Sequence, residues 1–181
     1  MERLETLIEN GHKALDQKDY QVAKESFEQA VSLDPISAEA NYGMGLALGD
    51  LNLWQEAAKA FKHVVRIEPE SERGHACLGL SYIKLQLWQL AIDAFSNVIQ
   101  INPNEADAYT QIGFAYGKLE NWQKAIEFHE KAKSLALGNA ELRLALAVDY
   151  LMAGDEERGW DEYEALKEMD ENLARELLEV F

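Results

Sequence analysis

Cysteine occurs once and proline three times in 181 residues. The single thiol, Cys77, cannot close a disulfide within the chain, which fits a reducing cytoplasm. No apolar run approaches the roughly 18 residues that a membrane-spanning helix needs, so membrane insertion is not expected. Basic residues are also scarce. Seventeen Lys and Arg against 33 Asp and Glu leave a net charge of −16 with histidine neutral. Such a surface repels phosphate backbones and anionic headgroups, so neither nucleic acid nor a membrane surface is an expected partner. The opening Met1-Glu2-Arg3-Leu4-Glu5 lacks the basic and then apolar blocks of an export signal, so a cytoplasmic location is expected. The end at Phe181 reads as that of a whole protein or a complete module. No stretch alternates strictly between apolar and polar residues, so strands are not expected. With 48% hydrophobic residues the chain is not disordered by composition.

The residues that are present are evenly spaced. Pro35, Pro69 and Pro103 stand 34 apart, as do Trp54, Trp88 and Trp122. Gly11, Gly45, Gly79 and Gly113 keep the same interval, with Ala147 next. An alanine column runs Ala23, Ala57, Ala91, Ala125 and then Gly159, and an aromatic column runs Phe27, Phe61, Phe95, His129 and Tyr163. A further column of small or aliphatic residues is Ala30, Val64, Val98, Ala132 and Leu166. A fixed period in the rarest residues marks a repeat array. Repeats fall at about 4–37, 38–71, 72–105 and 106–139, with a weaker fifth at 140–173.

Each unit holds two segments of helical length. In the third, Ala76, Gly79, Tyr82 and Ile83 share a helix face, and Ala91, Ile92, Phe95, Val98 and Ile99 share another after a break at Gln86-Leu87. Pro103 ends the second segment, because the residue before proline is pushed out of helical angles. The recurring Gly and Ala belong where an antiparallel helix pair touches, and the Phe column fills space toward the next unit. In repeat four Leu137 stands where proline is missing, and Gly138 is the expected C-cap. Asp170 is a candidate N-cap for a closing helix at about 170–181, with Leu173, Leu177 and Leu178 as its apolar stripe. Such a helix would shield the last open face of the array.

These columns resemble the tetratricopeptide repeat family, strongly over about 4–139 and loosely over 140–173. The resemblance implies an all-α, right-handed superhelical solenoid of helix-turn-helix units with a C-terminal capping helix, forming one domain over 1–181. It also implies a concave groove lined by the first helix of each pair. On that pattern the groove residues are Ile8 and His12 in repeat one, and Tyr42 and Leu46 in repeat two. Arg73, Leu80 and Ile83 follow in repeat three, Gln111, Phe114 and Lys118 in repeat four, and Val148 in repeat five. Gly43, Ala76 and Gly117 would leave room between them. The groove is apolar at its centre, acidic on one half through Glu5, Glu9, Asp16, Glu39 and Asp50, and basic on the other through Arg73, Lys84 and Lys118. The family's clamp for acidic chaperone tails would match Ile8, His12, Gly43, Arg73 and Ala76. Only Arg73 keeps the required charge, so heat-shock chaperone tails are not expected ligands.

Little else points to chemistry. His75 and Cys77 are two residues apart, about 200° around a helix, so they do not converge on a metal. His129, in an aromatic column, reads as a packed ring. Gly43-Met44-Gly45 lies within a helix and is no phosphate loop. No nucleophile and base can be paired, and no cofactor, metal or enzymatic activity is expected. From Asp155 to Phe181 eleven acids face three bases, a net of −8 that reads as a solvated outer face. The leading expectation is a non-enzymatic scaffold that binds a partner peptide or amphipathic helix in the groove. The rivals are a dedicated cytosolic chaperone of a secreted or membrane client, and a self-assembling structural scaffold or homo-oligomer.

Overall fold

The structure, a computed structural model, describes residues 2–136 and 138–178, apart from the side chain of Glu176. Leu137 and the last three residues of the expected closing helix lie outside it. The described residues form eleven helices and no strands. They pack as two compact units, Met1–Ala94 and Phe95–Phe181. The first holds α1 (Glu2–Asp16), α2 (Tyr20–Leu33), α3 (Ala38–Asp50), α4 (Trp54–Ile67), α5 (Glu72–Lys84) and the start of α6 (Trp88–Ile101). The second holds the remainder of α6, then α7 (Ala106–Lys118), α8 (Trp122–Leu135), α9 (Ala140–Met152), α10 (Glu156–Met169) and α11 (Glu171–Leu178).

The turn within each helix pair repeats one backbone device. Lys18, Asn52, Gln86, Glu120 and Gly154, again 34 apart, all have positive φ, between 57° and 82°. In each case the amide of that residue bonds three residues back and the next amide five back, as in Gln86 to Ile83 and Leu87 to Tyr82, both at 2.9 Å. This double bond satisfies carbonyls left open at a helix end. The residue after the turn then starts the next helix, and Asp19, Asn121 and Asp155 each accept a hydrogen bond from a first-turn amide. The proline turns use other caps: Ser37 accepts from the Ala40 amide at 3.2 Å. Left-handed backbone strains any residue with a Cβ. Gln86→Gly is therefore expected to stabilise the protein by about 0.5–1 kcal/mol, the strain relieved exceeding the unfolded-chain entropy that glycine adds. Urea unfolding reads this directly, and a destabilised variant would contradict it.

In unit 1 the glycine and aromatic columns meet. Phe27 is fully buried. A Cβ on Gly11 would lie 2.6 Å from its ring, and one on Gly43 2.3 Å. The ring is therefore wedged between backbone of α1 and backbone of α3. Gly43 does not leave room in a groove as the resemblance implied; its missing side chain is the space that Phe27 fills. Ala23, Ala57, Ala91 and Ala125 are all fully buried, as close approach of paired helices demands.

In unit 2, α8 ends with Ala136 as its C-cap, so Gly138 (φ 85°) is not the cap but a left-handed turn residue beyond it. The fifth pair, α9 and α10, is complete, and α11 packs on both. Asp170 caps α11, accepting from the amides of Asn172 and Leu173 at 3.0 Å. Leu177 is buried there, whereas Leu178 turns outward and leaves the expected stripe. The acidic segment is not uniformly solvated. Glu162 is buried and held by Lys133 and by Arg143, the latter at 2.8 Å.

Candidate functional site

In unit 1 the first helices α3 and α5 carry matched stripes. On α3 the stripe is Glu39, Leu46 and Asp50; one period on, α5 shows Arg73, Leu80 and Lys84. Charges at the two ends thus reverse between neighbouring helices, while leucine is kept between them. The helices meet at Tyr42, whose ring lies 4.5 Å from the Arg73 guanidinium and edge-on to Phe61 at 5.7 Å. The Cys77 thiol donates to the Tyr42 hydroxyl at 3.7 Å. Burial pushes the Tyr42 phenol up to about 12 and raises the Cys77 thiol as well. The thiol therefore stays protonated and weakly nucleophilic. Between the stripes lies a cleft of about 150 Å³ lined by Leu46, Gly49, Asp50, Trp54, Cys77 and Leu80. Leu80 is 43% exposed at its mouth.

The other residues expected here divide by depth. His12 is half-buried, its Nε2 3.4 Å from Glu39 Oε1 and its ring edge-on to Phe27 at 5.2 Å. Ile8 packs against the Phe27 cluster, and Ile83 against the cluster around Phe61 and Leu78, so both are as much packing as surface.

Unit 2 carries a pocket of about 330 Å³. Phe114, Trp122, Leu144 and Val148 form its walls, with Lys118 and Glu141 among its lining residues. Phe114 is 40% exposed, and Lys118 stands 5.2 Å from its ring. Gln111 is half-buried on α7 and does not line this pocket. The pocket also reaches His129 and Asp149. His129 is buried, as its aromatic column implied. Asp149 was not anticipated, although a signal existed: it follows Ala47, Ser81 and Ala115 in a column that holds a small residue in repeats two, three and four.

Three first-helix cations share one arrangement. Arg73, Lys84 and Lys118 each stand over an aromatic ring, Lys84 at 5.9 Å from Trp54. Among the described residues none of the three has a carboxylate at ion-pair distance, despite the excess of acids in the chain. Cation–ring contacts at exposed sites hold a side chain in place for roughly 0.5–1 kcal/mol without neutralising it.

Sequence reasoning missed a larger cleft of about 460 Å³ formed by α2, α3 and α4 in unit 1. Val31, Met44, Leu48 and Leu53 form its apolar part, and Lys24, Glu28, Glu56 and Lys59 surround it with both signs of charge.

Among the described residues no group of three or more His, Cys, Asp or Glu side chains could hold a metal ion, and no helix is long and apolar enough to cross a membrane. Family models described as tetratricopeptide repeat match residues 8–72, 78–105 and 106–139. The chain belongs to the tetratricopeptide repeat family. This tetratricopeptide repeat protein is similar to a crystal structure of MamA at 25% identity, with a TM-score of 0.90 over 96% of this chain and 95% of that one. It is similar to MamA from Desulfovibrio magneticus RS-1 at 21% identity, with a TM-score of 0.89 over 95% and 97%. It also resembles YrrB, described as a TPR protein with an unusual peptide-binding site, at 20% identity, with a TM-score of 0.86 over 96% and 90%. At such identities YrrB and the Desulfovibrio protein establish the fold alone. No curated protein sequence matches the chain.

Proposed function

We propose that this protein is a cytoplasmic, non-enzymatic scaffold whose first-helix faces each hold a segment of a partner protein. The observation that carries the reading is Leu80, a large apolar side chain 43% exposed between two cations, Arg73 and Lys84, that lack carboxylate partners among the described residues. Exposed apolar surface framed by uncompensated charge favours a ligand with an apolar anchor and complementary ends. The acid-bearing α3 beside the base-bearing α5 gives that ligand a sense: its acidic end lies on Arg73 or Lys84 and its basic end on Glu39 or Asp50. The fold shared with YrrB, whose description names a peptide-binding site, supports the same reading. The departure of Ile8, His12, Gly43 and Ala76 from the chaperone-tail clamp speaks against that particular ligand.

Selection from a displayed peptide library tests this. Wild-type protein is expected to enrich segments with an apolar residue flanked by acids, and the Arg73→Glu/Lys84→Glu variant to lose that acidic preference. No enrichment, or the same peptides from both proteins, would overturn the reading.

A further inference from the structure

A histidine and a carboxylate meet in unit 2 where other repeats carry a phenylalanine and a small residue. His129 stands in the column of Phe27, Phe61 and Phe95, and Asp149 in that of Ala47, Ser81 and Ala115. In unit 1, Phe27 and Ala47 share one apolar cluster. At His129 and Asp149 both columns have changed together. Their side chains are 3% and 6% exposed. An apolar pair would fill this space without the cost of desolvating two ionisable groups, so packing alone does not account for them.

The hydrogen bonds fix how many protons the pair holds. His129 Nε2 lies 3.2 Å from the Thr110 carbonyl oxygen. A carbonyl only accepts, so Nε2 carries hydrogen. His129 Nδ1 lies 2.6 Å from Asp149 Oδ2, and that contact also needs one hydrogen. The pair therefore keeps one proton more than a neutral imidazole beside a carboxylate, on whichever partner it is drawn. Without it, a nitrogen lone pair faces either the carboxylate or the Thr110 carbonyl in a low-dielectric site. Burial raises the Asp149 carboxyl above its ordinary value, while the hydrogen bond and charge of His129 pull it down. The other charges around the pocket are Lys118 from α7 and Glu141 from α9. On α8, Glu130 accepts from the Tyr150 hydroxyl of α9, and Lys133 is held by Glu162 of α10.

We propose that the His129–Asp149 pair is a proton-dependent floor for the unit 2 pocket. While the proton is held, α8 and α9 stay joined beneath Phe114, Leu144 and Val148 and the pocket remains apolar. Loss of the proton separates the pair, admits water and weakens the pocket as a ligand site. Only this last step rests on the proposed function.

The sense of the pH dependence follows from proton counting. In the unfolded chain histidine titrates near pH 6.5 and aspartate near pH 3.9, both approximate. Between those values the folded and unfolded states hold equal protons on these two groups. Above about pH 6.5 the folded state holds one more, so stability falls as pH rises; below about 3.9 the unfolded state holds one more, and stability falls again.

Thermal unfolding from about pH 5.5 to 9 tests the proposal on wild type, Asp149→Asn and His129→Phe/Asp149→Ala. The double variant installs the apolar pair of unit 1, and Asp149→Asn keeps a hydrogen bond without a titrating carboxyl. Wild type is expected to lose on the order of 5 °C in Tm relative to both variants across that range. Emission of Trp122, which lines the pocket, is expected to titrate in wild type alone. Parallel Tm curves for wild type and Asp149→Asn would overturn the proposal, and that comparison stands if the double variant does not fold. Neither readout needs a peptide, so failure of the ligand selection and failure of the titration are separate results.

Discussion

Phe27→Ala is expected to destabilise the protein by about 3–5 kcal/mol, a large share of the stability of a domain this size. The side chain is fully buried, and its ring is the contact between Gly11 on α1 and Gly43 on α3. Neither glycine has atoms with which to fill the space, so collapse would require whole helices to move. Because each repeat is stabilised by its neighbours, the loss should appear first as separation of the first helix pair. Hydrogen exchange would show α1 and α2 losing protection ahead of α4. The same wedge makes a reciprocal expectation for Gly43→Ala. A Cβ 2.3 Å from the ring is too close to be accommodated without a shift, so this change should cost about 1–3 kcal/mol in wild type. In a Phe27→Leu background the clash is gone and alanine's helix propensity should make it neutral or slightly stabilising. Additive effects in that double-mutant cycle would mean that ring and glycine do not constrain each other.

Leu80→Glu is expected to weaken binding of a selected peptide on the order of 100-fold while leaving Tm almost unchanged. Burying a leucine against a ligand is worth about 1.5–3 kcal/mol, and a carboxylate in the same place adds a desolvation cost and competes with the ligand's acidic end for Lys84. The folded protein loses little, because Leu80 is already 43% exposed and exposed substitutions usually stay within about 0.5 kcal/mol. Titration calorimetry and thermal melts on one preparation separate the two effects. A variant that melts many degrees lower would place Leu80 in the core and remove it from the binding face.

The repeat period and the helix pairs were legible because rare residues carried them: tryptophan begins α4, α6 and α8, and proline follows α2, α4 and α6. The left-handed turn was not legible, because Lys18, Gln86 and Glu120 adopt it against their own preference. The two hydrogen bonds of the turn impose it, and only Asn52 and Gly154 hint at it by residue type. Gly43 was misread for a related reason: a column pattern shows that a position is small but not which neighbour fills the gap. Asp149 escaped notice because a lone acid in a chain with 33 carries little information until its partner across the helix interface is known. The cleft formed by α2, α3 and α4 escaped because its walls come from residues that separately read as core or solvated surface.

That cleft gives the binding account its sharpest test. A peptide enriched on wild-type protein can be titrated into isotope-labelled protein and its footprint followed by amide chemical-shift changes. The largest changes are expected on α3 and α5 around Leu46, Cys77 and Leu80, or around Phe114, Leu144 and Val148 in unit 2. Changes concentrated on Val31, Leu53 and Lys59, with Leu46, Leu80 and Phe114 silent, would contradict the account.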